Sequence, residues 1–402
     1  MPTKPKGEVV AKGEELVVRG PEVGHLHQMW IGSKKKRELV LDPVEALYLV
    51  CGRNFAYRDE RNESSTTLDL FSRFSGSERI FAKLAAYRDW RDRGLIIVPA
   101  GRFLAEHAGK HFGNSPVITY PSEFVNLPDL SGITLNFLLP DRFSFLLCSH
   151  ELHFSLFEKY WFGQLGVYKQ PEKDKILKLD LLETLYLAKH GARVLEFGSK
   201  KELDFVDLLE LTGRDKEEIS ALYDVYEEWR DRGYVVKTGF KFGTHFRIYF
   251  PGASPIRRGK EWIHSKHVIH VFPKASSMLM SEWARAVRVA HSVRKTFIMA
   301  VPQMEESDYP SVQFDFVAWW RSNGNVEKPN ESPPRFAIIA ITEDERLGGR
   351  ELAAALARAH ELGLRLVLAI VDRETSVTYY VAKRIDLRDS RNRYYEVEWI
   401  QP

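Results

Sequence analysis

Cysteine is nearly absent: Cys51 and Cys148 are the two in 402 residues, too few for a disulfide framework or a four-thiolate metal centre. A reducing, cytoplasmic setting is therefore expected. Long apolar runs are missing too, since none approaches the roughly 18 residues that span a bilayer. The N-terminus "MPTKPKGEVV" carries charge but no apolar core, so no secretory leader is expected. Charge of one sign is lacking, because 58 basic and 55 acidic residues leave a net charge of +3. That balance alone does not mark a nucleic-acid binder. Metal-ligand spacing is absent as well: "HELH" (His150 to His153) lacks the two-residue gap of a zinc helix. His264, His267 and His270 cannot all share one face of a strand. Neither a metal nor a cofactor is expected.

What the chain does contain is repetition. "LDPVEALYL" (Leu41 to Leu49) returns as "LDLLETLYL" (Leu179 to Leu187), and "WRDRG" at Trp90 to Gly94 returns at Trp229 to Gly233. Two anchors at nearly one offset point to a duplicated domain. In each copy an Asp (Asp42, Asp180) followed three residues later by a Glu (Glu45, Glu183) predicts a capping box opening an amphipathic helix. Each "WRDRG" predicts a helix end, with arginines suited to the C-terminal dipole and a glycine that turns the chain into a strand. A second repeat has an offset of 69: "HSKHVIHVF" (His264 to Phe272) falls on "PPRFAIIAI" (Pro333 to Ile341), and His291 falls on His360. The fold class that follows is mixed α/β (α+β), with duplicated small N-terminal modules and duplicated C-terminal modules built on mixed sheets. The expected divisions are a degenerate N-terminal module over 1–140, the N-terminal module of a complete unit over 141–240 and its C-terminal module over 241–322. A linker and a final module over 323–402 follow, opened by "RSNGNVEKPNESPP".

The copies differ in polar residues. Tyr249 ends one predicted strand, His264 precedes another, and Lys295 stands between a helix and a strand. At the repeat offsets these positions hold Lys110, Pro333 and Leu364. Tyr, His and Lys without paired carboxylates suit proton transfer at a phosphodiester: one group deprotonates an attacking hydroxyl, one protonates the leaving oxygen, and one stabilises added negative charge. A tyrosine with its ordinary pKa of about 10 is ionised only about one part in a thousand at pH 7, so a base there needs cations beside it.

The stretches "FGTHFRIYF", "HSKHVIHV" and "ARAVRVAHSVRKTFIMAV", preceded by "LDLLETLYLAKHG" and "EWRDRGYVV", resemble the catalytic unit of archaeal tRNA-intron (tRNA-splicing) endonucleases over about residues 145–320. The flanking modules resemble a degenerate unit and the non-catalytic half of a structural subunit, as in the three-unit fused homodimeric form. That resemblance implies cleavage of precursor tRNA at bulge-helix-bulge junctions without metal, leaving 2',3'-cyclic phosphate and 5'-hydroxyl ends. It also implies Tyr249 as general base, His264 as general acid and Lys295 as the cation at the transition state. The family holds a flipped bulge base between two cationic or aromatic side chains. Arg288 matches the first; Trp319 or Trp320, or Arg321 by a shift of register, stands for the second, with two core tryptophans as the plain alternative. Arg257, Arg258 and Lys260, in a loop longer than the family's, are expected to contact the RNA backbone. Asp372 and Glu374 match an acidic loop that docks into the opposite subunit of a homodimer. The alternative reading is a non-catalytic RNA-binding subunit, which would be expected to lack the Tyr, His and Lys set.

Overall fold

The computed structural model describes residues 4–123, 126–137, 145–148, 152–166, 176–212, 215–256 and 263–402. Arg257, Arg258 and Lys260 lie outside the described residues.

The two predicted capping boxes form. Helix α1 (Pro43–Gly52) opens on Asp42, whose side chain accepts from Val44 N while Glu45 accepts from Asp42 N. Helix α2 (Ile80–Asp92) carries the first "WRDRG", and strand β1 (Ile97–Pro99) follows it. After strand β2 (Val117–Thr119), the second copy repeats this order. Helix α3 (Leu181–Lys189) is capped by Asp180 and Glu183, and helix α4 (Lys216–Asp231) ends in the second "WRDRG".

Strands β3 (Val235–Thr238), β4 (Phe246–Tyr249) and β5 (His267–Val271) come next. Helix α5 (Met280–Ser292) and strand β6 (Thr296–Pro302) complete the middle unit's predicted series. Strand β7 (Phe316–Ala318), strand β8 (Phe336–Thr342), helix α6 (Gly349–Glu361) and strand β9 (Arg365–Val371) form the last copy. Two long strands, β10 (Val377–Asp386) and β11 (Asn392–Ile400), end the chain.

These eleven strands share one sheet in the order β3-β4-β5-β6-β11-β10-β9-β8-β7-β1, with β2 paired to the end of β10; the other strands of the described residues form separate sheets. The β5–β6 and β8–β9 pairs are parallel and their other neighbours antiparallel, so the sheet is mixed. Its two halves mirror one another about the β10–β11 pair. A short ladder repeats that symmetry: Ser277 pairs with Gly348, Met278 with Leu347 and Leu279 with Arg346.

This pairing divides the chain differently from the expected boundary at 322/323. Strand β7 precedes the expected linker, yet it bonds to β8 and β1 in the other half. The middle half instead receives the C-terminal strand β11 beside β6. The stretch expected to be a linker holds a small ladder, Arg321 and Ser322 against Val326 and Asn325, and serves as the loop between β7 and β8. Composition suggested a linker because Pro, Asn and Ser suit both roles.

The recurring pentapeptide is scaffold. Trp90 and Trp229 are both fully buried. Arg91 donates to the carbonyls of Met29, Trp30 and Ile97 at 2.6 to 2.9 Å, and Arg230 donates to Tyr160 O at 3.0 Å. These arginines satisfy backbone oxygens rather than mark a helix dipole alone. Glu45 accepts from Gly32 N and Glu183 from Gly163 N, both at 2.9 Å. Arg102 pairs with Glu45 at 3.0 Å and Lys237 with Glu183 at 2.6 Å. "MWIG" (Met29 to Gly32) and "YWFG" (Tyr160 to Gly163) are thus a third repeated anchor, one that sequence reasoning missed because its offset differs from the others.

Candidate active site

Three adjacent strand ends bring the Tyr, His and Lys set to one edge of the sheet. On β4 and β5, Ile248 pairs with His267, and Lys266 N donates to Ile248 O at 2.9 Å. On β5 and β6, His267 pairs with Thr296, and Thr296 N donates to Lys266 O at 3.1 Å. Tyr249 closes β4 at that level, His264 lies three residues before β5, and Lys295 lies one before β6. Neighbouring strands are about 4.8 Å apart, so these three strand ends lie side by side.

Lys295 Nζ donates to Ser265 O, the carbonyl next to His264, at 2.5 Å. The ammonium also stands 5.3 Å from the Phe242 ring centroid. Burial pushes the Lys295 pKa below the ordinary lysine value, with repulsion from Arg247 and Lys266 acting the same way. Such a concentration of positive charge suits an anionic group.

Tyr249 is 3% exposed and its ring lies 4.6 Å from that of Trp161. The Arg247 guanidinium is 5.7 Å from the Tyr249 ring. His264 is exposed. His267, by contrast, is buried between Tyr120 and Phe250 at 5.1 and 5.4 Å. Burial, reinforced by Lys266 and Lys295, pushes its pKa down to about 4. His267 is therefore neutral at pH 7, whereas His264 is the one of the two that solvent reaches.

The remaining expected residues separate. Arg288 is exposed on α5, close enough to Tyr380 to lower that hydroxyl's pKa against the upward push of burial. Trp319 cannot stack a base: it is 0% exposed and donates from Nε1 to Ser332 O at 2.8 Å. Its strand pairing puts it in the other half at the place corresponding to Tyr249, since Phe316 pairs with Ile338 as Phe246 pairs with Ile269. Trp320 is half-buried against Trp90 and Phe336 at 5.7 and 5.4 Å. Arg321 donates to Arg93 O, in that same half. The plain core reading therefore replaces the stacking role for both tryptophans, because β7 crosses into the other half.

Sequence reasoning missed Trp399. It is 55% exposed near the end of β11. Phe297 pairs with Val397, so continuing the register by two residues sets Trp399 level with Lys295. Its cross-strand partner is Tyr380, the neighbour of Arg288, and paired side chains share a face. A signal was available: "YY" at Tyr379 and Tyr394 repeats at an offset of 15, which lays Trp399 over Arg384.

Asp372 spends its carboxylate within its own turn, accepting from Glu374 N at 2.9 Å and Ser376 N at 2.8 Å. Glu374 is exposed at the tip of that β9–β10 turn. Among the described residues, no group of three His, Cys, Asp or Glu could hold a metal ion. No helix among them is long and apolar enough to cross a membrane.

The mixed-sheet α+β chain is an endoribonuclease, as its similarities establish. The family described as tRNA intron endonuclease, catalytic C-terminal domain, matches residues 219–314. The tRNA-splicing endonuclease of Thermococcus gammatolerans is 39% identical over 163 residues, which is 40% of this chain and 86% of that protein. That of Methanopyrus kandleri is 35% identical over 150 residues, covering 37% of this chain and 79% of the relative. That of Methanosarcina mazei is 35% identical over 147 residues, 37% of this chain and 40% of its own length. The chain belongs to the tRNA-splicing endonuclease family.

Proposed function

We propose that this protein cleaves precursor tRNA at intron–exon junctions by metal-independent transesterification. What supports the reading is the side-by-side register of the strand ends next to Tyr249, His264 and Lys295, with the Lys295 ammonium held on the carbonyl beside His264. Tyr249 takes the proton of a ribose 2'-hydroxyl, whose oxygen then attacks the adjacent phosphorus. The bond from phosphorus to the 5'-oxygen breaks, and His264 delivers a proton to that oxygen. Lys295 stabilises the charge gathered on the non-bridging oxygens. The products are a 2',3'-cyclic phosphate and a 5'-hydroxyl.

Arg288 and Trp399 hold the flipped bulge base between them, a guanidinium on one side and an indole on the other. Cation–π and stacking contacts of this kind contribute about 1–3 kcal/mol per base. Glu374, on the turn held by Asp372, docks onto a second copy of the chain, giving a homodimer with two active sites. The basic stretch with Arg257, Arg258 and Lys260 supplies contacts to the RNA backbone.

Incubating the purified protein with an intron-containing precursor tRNA in EDTA tests the whole reading. Excised intron with cyclic-phosphate ends is the expected result. No cleavage, or cleavage leaving a 3'-hydroxyl, overturns it. Lys295→Ala is expected to lower the rate by about 10²–10³ while the RNA still binds.

A further inference from the structure

The candidate active site holds one cation, Lys266, that the chemistry above leaves without a role. Ile248 on β4 pairs with His267 on β5, and His267 pairs with Thr296 on β6. One step further along, the same register sets Tyr249, Lys266 and Lys295 level with one another, with Lys266 in the middle. Residues two apart on a strand share a face. Val268 and Phe297, two residues beyond Lys266 and Lys295, are cross-strand partners in one core, so both lysines leave the sheet on that side. Arg247 pairs with Val268, and alternation along β4 places Tyr249 on that side as well. The core ends at this row: Val268 and Phe297 are fully buried, Lys295 is half-buried and Lys266 is exposed.

Like charges on adjacent strands repel. Lys266 acts electrostatically on Lys295 and on His267, and at Lys295 the Arg247 guanidinium adds to it, with no carboxylate acting against them. Among the described residues, the Lys266 ammonium forms no ion pair and no hydrogen bond.

The last copy provides an internal comparison. At the 69-residue offset, Lys266 falls on Arg335, and the backbone around the two is the same. Lys266 N donates to Ile248 O at 2.9 Å, and Lys266 O accepts from Thr296 N at 3.1 Å. Arg335 N donates to Ala318 O at 2.9 Å, and Arg335 O accepts from Arg365 N at 3.1 Å. The side chains differ. Arg335 is closed by a two-pronged ion pair with Glu327, with Nε 2.8 Å from Oε2. Where Tyr249 and Lys295 are lost, to Trp319 and Leu364, the cation is neutralised from within the chain. Where they are kept, it is left open at the surface. An unpaired cation held beside a second one suits an anion supplied from outside.

We propose that Lys266 is a further catalytic residue, a second ammonium on the scissile phosphodiester that shares its two non-bridging oxygens with Lys295. This inference rests on the precursor-tRNA reading above and adds the group that meets the substrate between the base and Lys295. Charge growing on those oxygens in the transition state is then spread over two cations.

The test compares two precursor tRNAs, both with 2'-deoxyribose at the cut sites so that binding is read without cleavage. One keeps the scissile phosphodiesters, and the other carries uncharged methylphosphonates in their place. Lys266→Met keeps the length of the stem on an exposed side chain, so its melting temperature should match the wild type. It is expected to bind the charged precursor about tenfold more weakly and the uncharged one as well as the wild type does. On ordinary precursor at saturating enzyme, the single-turnover rate should fall by about 10², and Lys266→Arg should recover most of it. Equal weakening on both precursors overturns the inference in favour of a contact elsewhere on the RNA backbone. Unchanged rate and affinity in Lys266→Met, while the wild type cleaves, overturns it alone. Failure of the wild type to cleave the ordinary precursor overturns the underlying reading and this inference with it.

Discussion

Trp229 stands edge-on to Tyr394, with ring centroids 5.5 Å apart, and Trp90 meets Tyr379 in the same way at 5.3 Å. Glu228, beside the first tryptophan, accepts from the Tyr394 hydroxyl, and Asp89 accepts from Tyr379 at 3.0 Å. The two "WRDRG" helices therefore clamp the two strands at the centre of the sheet. Trp229→Ala is expected to cost about 3–5 kcal/mol, the range for emptying an aromatic site in a core. Urea unfolding should show it as a lower midpoint; a loss below about 1 kcal/mol would mean the contact is peripheral.

The glycines of the same pentapeptide should respond unequally. Gly94 and Gly233 both have positive φ, 77° and 87°, which costs a side chain about 1–2 kcal/mol. A Cβ on Gly94 meets nothing within 4 Å, whereas one on Gly233 falls 2.3 Å from Glu123 O. Gly233→Ala should therefore lower the melting temperature clearly more than Gly94→Ala does. Equal effects would show that backbone conformation alone sets the cost.

For the base clamp, Trp399→Ala should slow cleavage of a bulged precursor about tenfold or more, from the loss of about 1–3 kcal/mol of stacking. Trp399→Phe should keep most of the rate. Trp319→Ala should instead cost stability, because that ring is sealed in the core. A normal rate in Trp399→Ala at saturating enzyme would remove the residue from the site.

Stability should fall with acid. Burial pushes His245 and His267 down to about 4 and His270 to about 3, with Lys266 and Lys295 adding to the shift of His267 and His245 to that of His270. Each is lowered from an unfolded value near 6.5. Their stabilisation is thus fully present above about pH 6.5 and is lost as pH falls towards 4, by roughly 3 kcal/mol for each histidine. Asp215, Glu217 and Glu218 line the cavity beside His245 and His270. Melting temperatures from pH 7 to 4.5 should drop, and His270→Gln should flatten the drop. An identical slope in that variant would assign the acid sensitivity elsewhere.

Assembly has its own probe. Glu374 holds nothing within its turn, while Asp372 holds two backbone amides. Glu374→Ala should shift the mass in size-exclusion chromatography from two chains towards one without loosening the turn. An unchanged elution position would count against the docking role.

Much of the local structure was legible in the sequence. Capping boxes at Asp42 and Asp180, helix ends at the two "WRDRG" copies and the 69-residue repeat all follow from short-range chemistry, which a window of a dozen residues contains. Tyr249, His264 and Lys295 stood out because one copy keeps them and the others do not. Trp399 did not stand out, since its exposure, like the burial of Trp319, is a property of the packed sheet.

By itself, the sequence determined where the two capped helices open, where the two "WRDRG" helices stop, and which copy carries the Tyr, His and Lys set. Tertiary structure alone decided that β7 leaves the middle unit for the other half and that β11 returns from the C-terminus to lie beside Lys295. The reason is physical. Helix caps and turns are satisfied by neighbours in the chain, whereas a strand's backbone donors and acceptors accept any partner strand. The choice of partner is settled by which aromatic faces are buried together, as Tyr379 is with Trp90 and Tyr394 with Trp229.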